Sequence, residues 1–157
     1  MKKPLLTALL LLVASVLQAQ TASPPGADYS GTYSFLKEGE FVQITVEEAR
    51  KVTGFISRFG DADNEHDAFL DHFFKDGKLT ATKLTFSTQT VHGVWFDFKG
   101  EFERGEGKNP GDEAYYVLKG MLIRNSTDEN KKTTAKSMEV TFKSFPADMQ
   151  APAQKQD

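Results

Sequence analysis

Residues 60–72 hold the densest run of potential ligand side chains in this chain: Asp61, Asp63, Glu65, His66, Asp67, Asp71 and His72. Asp61, Asp63 and Glu65 alternate as the first oxygen ligands of a calcium loop do, but His66 stands where the sharp turn needs glycine. His72 replaces the bidentate glutamate at the twelfth position, so an EF-hand is excluded. The segment reads as a solvated hairpin loop, with looser calcium binding as the lesser alternative. His66, Asp67, Asp71 and His72 have the donor chemistry for a transition metal, yet their spacing matches no two-histidine zinc pattern, and no metal is assigned. His92 lies in Thr90-Val91-His92-Gly93-Val94-Trp95, the turn expected between the fifth and sixth strands, without an evident carboxylate to make it a general base. No Gly-x-Ser-x-Gly elbow, phosphate loop or dinucleotide fingerprint occurs, and the absence of cysteine removes every thiol mechanism. The reading leans away from an enzyme, and no cofactor is assigned.

A second constellation is repeated. Val52-Thr53-Gly54-Phe55-Ile56-Ser57-Arg58, Phe98-Lys99-Gly100-Glu101-Phe102-Glu103-Arg104 and Leu118-Lys119-Gly120-Met121-Leu122-Ile123-Arg124 share one pattern: apolar, Thr or Lys, Gly, any, apolar, any, Arg. On a strand the two apolar residues, the glycine and the arginine all point to one face. Inward glycines at matching places let a sheet curl without side chains colliding, which favours a barrel over a sandwich. In a meander the third and seventh strands run the same way, so Arg58 and Arg124 are expected at one mouth and Arg104 at the other. Arginines there can simply cap the ends with their stems packed and heads in water, or they can pair with the carboxylate of an acidic ligand.

The elements that position these residues follow from short alternating runs broken by Gly, Asp and Asn. Strands are predicted at 31–35, 41–47, 51–59, 68–75, 78–90, 94–104, 114–124 and 136–145. Asp76-Gly77 is read as a two-residue hairpin turn, and a bulge near residues 81–83 reconciles Leu79 and Ala81 with Leu84 and Phe86. Phe69, Leu70, Phe73 and Phe74 also suit a short helix, but the surrounding pattern favours a strand. Residues 125–135 are read as a long hairpin loop, and the Asn125-Ser126-Thr127 sequon as without meaning in a bacterial export. Trp95 and Tyr115 are placed outside, as a paired aromatic patch for a protein partner. The thirteen phenylalanines are assigned mostly to the core.

The start of the chain addresses it to another compartment. Lys2 and Lys3 precede an apolar run from Leu5 to Val16, too short to span a bilayer, with Ala19 at a plausible cleavage point. Residues 1–19 are thus an expected signal peptide, 20–28 a flexible linker, 29–145 the domain and 146–157 a disordered polar tail. Loss of the leader moves the formal charge from −3 to −5, which argues against nucleic acid or an anionic membrane as partner. No later stretch is long and apolar enough to cross a membrane as a helix. The protein is expected in a bacterial periplasm or outside the cell, stabilised by packing alone.

Eight meandering strands opening on Tyr29-Ser30-Gly31-Thr32-Tyr33 resemble the calycin-type barrels: lipocalins, fatty-acid-binding proteins and avidins. In those families a glycine followed closely by an aromatic opens the first strand and closes the barrel floor, and Gly31-Thr32-Tyr33 has that spacing with Tyr in place of Trp. The resemblance implies an all-β, single eight-stranded antiparallel up-and-down barrel that binds a small ligand. The expected ligand is apolar or acidic and amphipathic. Phe86, Phe96, Phe98, Leu118, Leu122 and Phe142 would line its site, Tyr33 would close the floor, and Arg58 or Arg124 would hold the acid. The alternative is a solid barrel that acts as a protein-interaction module of the cell envelope.

Overall fold

The computed structural model describes residues 28–61 and 68–149. The expected leader, the linker up to residue 27, the tail from residue 150 and Asp63, Glu65, His66 and Asp67 lie outside the described residues. The strands are β1 (Gly31–Ser34), β2 (Phe41–Val46), β3 (Val52–Phe59), β4 (Phe69–Thr80), β5 (Lys83–Thr88), β6 (Val94–Arg104), β7 (Tyr116–Thr127) and β8 (Thr133–Lys143). Short 3-10 turns at Glu48–Arg50 and Ala147–Met149 complete the elements. Each strand pairs antiparallel with the next, in the spatial order β1 to β8.

The sheet curls until its two outer strands meet, but only at one end. Tyr33 bridges Ser144, the Phe145 N–H donates to the Thr32 carbonyl at 2.8 Å, and the Lys143 N–H donates to Ser34 Oγ at 2.9 Å. β1 is four residues long against eleven in β8, so the rest of the β8 edge has no strand neighbour among the described residues. The result is a half-barrel whose concave face is its core.

Strand alternation sorts the residues onto the two faces. Val42, Ile44, Val52, Ile56, Phe96, Phe98, Phe102, Leu118, Leu122 and Phe142 are buried on the concave side. Gly100 and Gly120 face each other across β6 and β7. A Cβ on Gly100 would overlap the Lys119 carbonyl oxygen and the Phe98 ring, and one on Gly120 would overlap the Lys99 carbonyl. Gly54 likewise has the Gln43 carbonyl where its side chain would be. The three glycines of the repeated pattern are therefore sites of close backbone approach, as their inward position predicts.

Three local expectations are corrected and one ambiguity is resolved. The chain does not turn at Asp76-Gly77: β4 runs through both residues, and the reversal is at Ala81-Thr82, with Thr80 opposite Lys83 and Leu79 opposite Leu84. Gly77 serves contact instead, since a Cβ there would overlap the Val52 carbonyl oxygen, while Ala81 takes the positive φ of 55° that the turn demands. The bulge lies between Phe74 and Asp76, not at 81–83, and it switches the inward parity from His72 and Phe74 to Leu79. The segment expected as strand 68–75 is a strand. Its helix-like spacing arises because Leu70 and Phe74 face the core while Phe69 and Phe73 face solvent. Finally, the long loop at 125–135 shrinks to residues 128–132, because cross-strand hydroxyl pairs, Ser126 with Thr134 and Thr127 with Thr133 at 3.0 Å each, extend the ladder.

Gly100→Ala is expected to lower unfolding stability by about 2–4 kcal/mol, because the obstacle is a backbone carbonyl that cannot rotate away. Urea denaturation of the purified domain checks this, and Gly120→Ala should behave alike.

Candidate functional site

Strand parity turns Val52, Gly54, Ile56 and Arg58 of β3 inward, which carries a guanidinium to the edge of the core. Arg58 is only 5% exposed. A buried cation needs partners on every side, and the neighbouring elements supply them. Its Nε donates to His72 Nε2 of β4 at 3.1 Å, and Nη1 donates to the Phe59 carbonyl at 2.8 Å. Nη1 also lies 3.0 Å from Asp61 Oδ2. The same carboxylate oxygen accepts from Arg124 Nη2 of β7 at 2.7 Å. One oxygen thus ties together arginines from β3 and β7, two walls separated in the sheet by three other strands. Phe96 lies below them, its ring edge-on to His72 at 5.2 Å and 5.7 Å from the Arg58 guanidinium carbon. Phe35 packs edge-on against Phe96 from the other side at 5.6 Å.

The hydrogen bond from Arg58 sets the state of His72. Nε2 accepts, so it carries no proton, and the neutral ring holds its hydrogen on Nδ1. Nδ1 is buried, and a hydrogen bond between the ring and the Gln89 backbone acts upward on its pKa without offsetting the burial. Burial, reinforced by the Arg58 charge, pushes the His72 pKa down from 6.5 to about 4. For Asp61, partial burial acts upward. The hydrogen bond from Arg124 and the charges of Arg58 and Arg124 outweigh it and hold the carboxyl below its ordinary value of 3.8. Among the described residues this cluster holds two arginines, one carboxylate and a neutral imidazole.

The other expected ligand residues fall into two levels beneath the rim. Phe86, Phe98, Leu118 and Phe142 are buried below it, with Phe86 stacked on Phe98 at 5.1 Å and Phe98 5.8 Å from Phe142. Tyr33 lies at the far end, donating its hydroxyl to the Tyr29 carbonyl at 2.8 Å, and Tyr29 stacks on Phe102 at 4.3 Å. Burial raises the Tyr33 pKa, so it stays a neutral donor. Arg104 is at that far end too, its guanidinium carbon 3.3 Å from the Tyr115 ring centroid and its hydrogen bonds spent on the Tyr115 and Gly107 carbonyls. Arg58 and Arg124 thus share one mouth and Arg104 the other.

Several expected groupings come apart. Asp71 faces the convex side and accepts from Ser57 Oγ at 2.7 Å, whereas His72 is inside, so the two cannot ligate one ion. Trp95 lies opposite Asn125 near the start of β6, while Tyr115 sits beyond the other end of the β6–β7 ladder, so the two aromatics do not form one patch. Asn125 is a strand residue whose amide donates to Asp97 at 2.8 Å. A feature the sequence reading missed lies on the convex face of β2–β4. Phe41, Phe55 and Phe73 follow one another at 5.8 and 5.4 Å, and Phe59 meets Phe69 at 4.5 Å. Phe69 and Phe73 are about half exposed. The signal was there: these phenylalanines have the parity opposite to Val42, Ile44, Ile56 and His72.

No known family model matches the chain, and no curated protein does. Among solved structures it is similar to the crystal structure of the rhizavidin–biotin complex. The TM-score is 0.53 at 13% identity, covering 73% of this chain and 98% of that one. The chain therefore has the fold of the avidin-type, calycin-like barrels. Among the described residues no helix is long and apolar enough to cross a membrane.

His72 gives the fold an acid sensitivity with a defined sign. Its ring takes up a proton near 6.5 when unfolded but only near 4 when folded, so between these values the unfolded chain binds more protons. Stability is full above about pH 6.5 and falls as the pH drops toward 4. Asp61 acts in a separate window: its contribution is full above 3.8 and is lost below. In thermal melts the wild-type Tm should fall from pH 6.5 to 4. His72→Gln, which still accepts from Arg58, should flatten that window and leave the loss below 3.8.

Proposed function

We propose that this chain is an exported, non-enzymatic binding protein, periplasmic or extracellular, that holds a small acidic amphipathic ligand at the mouth of its half-barrel. Arg58 and Arg124 hold the acid, and Phe96 with Phe35 receives the apolar part directly below. Phe86, Phe98, Leu118 and Phe142 form the apolar bed beneath, with Tyr33 closing the floor. One observation carries this reading: two guanidinium groups from separate walls converge on a single carboxylate oxygen, over an aromatic ring. Arginine is suited to such recognition because its planar donors match a carboxylate. The avidin-type fold adds weight, since the rhizavidin structure holds biotin.

Dodecanoate binding, followed by calorimetry with dodecanol as the neutral control, tests the reading. Arg124→Ala should weaken dodecanoate by about tenfold or more, the worth of a charge-assisted hydrogen bond, and leave dodecanol unchanged. Equal loss for both probes, or no loss for dodecanoate, sinks the assignment of the acid to this rim.

The tight ring packing of Phe86, Phe98 and Phe142 favours a second reading, in which the barrel is solid and its outer surface engages an envelope protein. Native mass spectrometry of protein purified from its own compartment separates the two. A small mass lost on denaturation marks a carrier, whereas a bare monomer with a co-purifying protein marks an interaction module.

A further inference from the structure

The carboxylate between the two arginines belongs to the protein itself. Asp61 is three residues beyond Arg58, and its side chain is 52% exposed, far more open than the arginine it neutralises. Such a group is poorly anchored: it lies outside the strands, and its two links to the arginines are made through one oxygen, Oδ2. Arg58, by contrast, is fixed from within its strand and from β4. Its bonds to His72 and to the Phe59 carbonyl do not involve Asp61. Without Asp61 the buried Arg58 and the partly exposed Arg124 would lose the carboxylate that bridges them among the described residues. The pair is then an anion site waiting for its anion.

We propose that Asp61 is an intramolecular stand-in for the ligand's acid group, and that a small-molecule carboxylate binds by exchanging with it at Arg58 and Arg124. This rests on the acid-binding reading above and adds a regulatory contact to it. The incoming carboxylate must outcompete a tethered one, so Asp61 sets the affinity threshold. A neutral amphiphile cannot displace it, because nothing would replace the lost charge. The exchange conserves charge at the rim, since one carboxylate leaves the guanidinium pair and another arrives. His72 stays neutral throughout, because its Nε2 continues to accept from Arg58.

The test compares dodecanoate and dodecanol binding to the wild-type domain, Asp61→Asn, Asp61→Ser, Arg124→Ala and the double variant Asp61→Asn with Arg124→Ala. Both Asp61 variants remove the carboxylate through different side chains, so a defect in one fold cannot imitate the result, and melting curves confirm that each is folded. Asp61→Asn and Asp61→Ser should bind dodecanoate about tenfold tighter than wild type, with dodecanol unmoved. Adding Arg124→Ala should erase most of that gain. If wild type binds dodecanoate through Arg124 but neither Asp61 variant binds it tighter, the exchange is overturned and the acid-binding reading survives. Weaker binding by the Asp61 variants overturns it too, and makes Asp61 a part of the ligand's own contacts. If no variant binds dodecanoate, the acid-binding reading falls and the exchange falls with it.

Discussion

A guanidinium cannot be taken out of water alone. Leaving one buried and unpaired costs about 3–5 kcal/mol, a large part of what holds a domain of this size together. Arg58 is in that position, and much of the mouth is arranged around it. His72 must be neutral to accept from its Nε. The Phe59 carbonyl turns back to meet Nη1, and Asp61 must be ionised to balance the charge. Because Asp61 also takes Arg124, satisfying one cation ties β3 to β7 across the concave face.

Such a junction is possible only because the sheet curls far enough to bring those strands face to face. Curvature comes from the facing glycines of β6 and β7, where backbone approaches backbone without side chains between. Aromatic rings then fill the space: Phe74 on Phe86, Phe86 on Phe98, Phe98 toward Phe142, Phe142 toward Phe35, and Phe35 edge-on to Phe96. The closure is partial because β1 is too short to cover the edge of β8. The far end is packed by Tyr29, Tyr33, Phe102 and Tyr116. The polar rim at the other end is where charge, exposure and a loop residue coincide.

The fold was largely legible in the chain. Period-two alternation placed the eight strands and assigned most inward residues, because a pleated strand with one wet face leaves that signature in the residue order. The repeated apolar-Gly-apolar-Arg pattern located both the curl and the two arginines of one mouth. Turn assignments failed where a glycine had a second use. Asp76-Gly77 has the composition of a hairpin, but Gly77 is required by the Val52 carbonyl, and no local rule reports a contact with a strand some twenty-five residues earlier. The outward phenylalanines were equally readable by parity, and were hidden by the habit of sending aromatics to the core.

By itself the sequence determined the strand order, the inward residues and the chemical kinds available at the rim, since these depend on short-range periodicity and side-chain type. Only the tertiary structure decided that Asp61 lies between Arg58 and Arg124, that His72 is a buried acceptor with Asp71 on the opposite face, and that Trp95 and Tyr115 are far apart. Those are matters of register, bulge and curl. A single-residue bulge or a misplaced turn inverts faces and slides partners. Distances between strands four apart are set by the accumulated bend of the whole sheet, which no local stretch of sequence encodes.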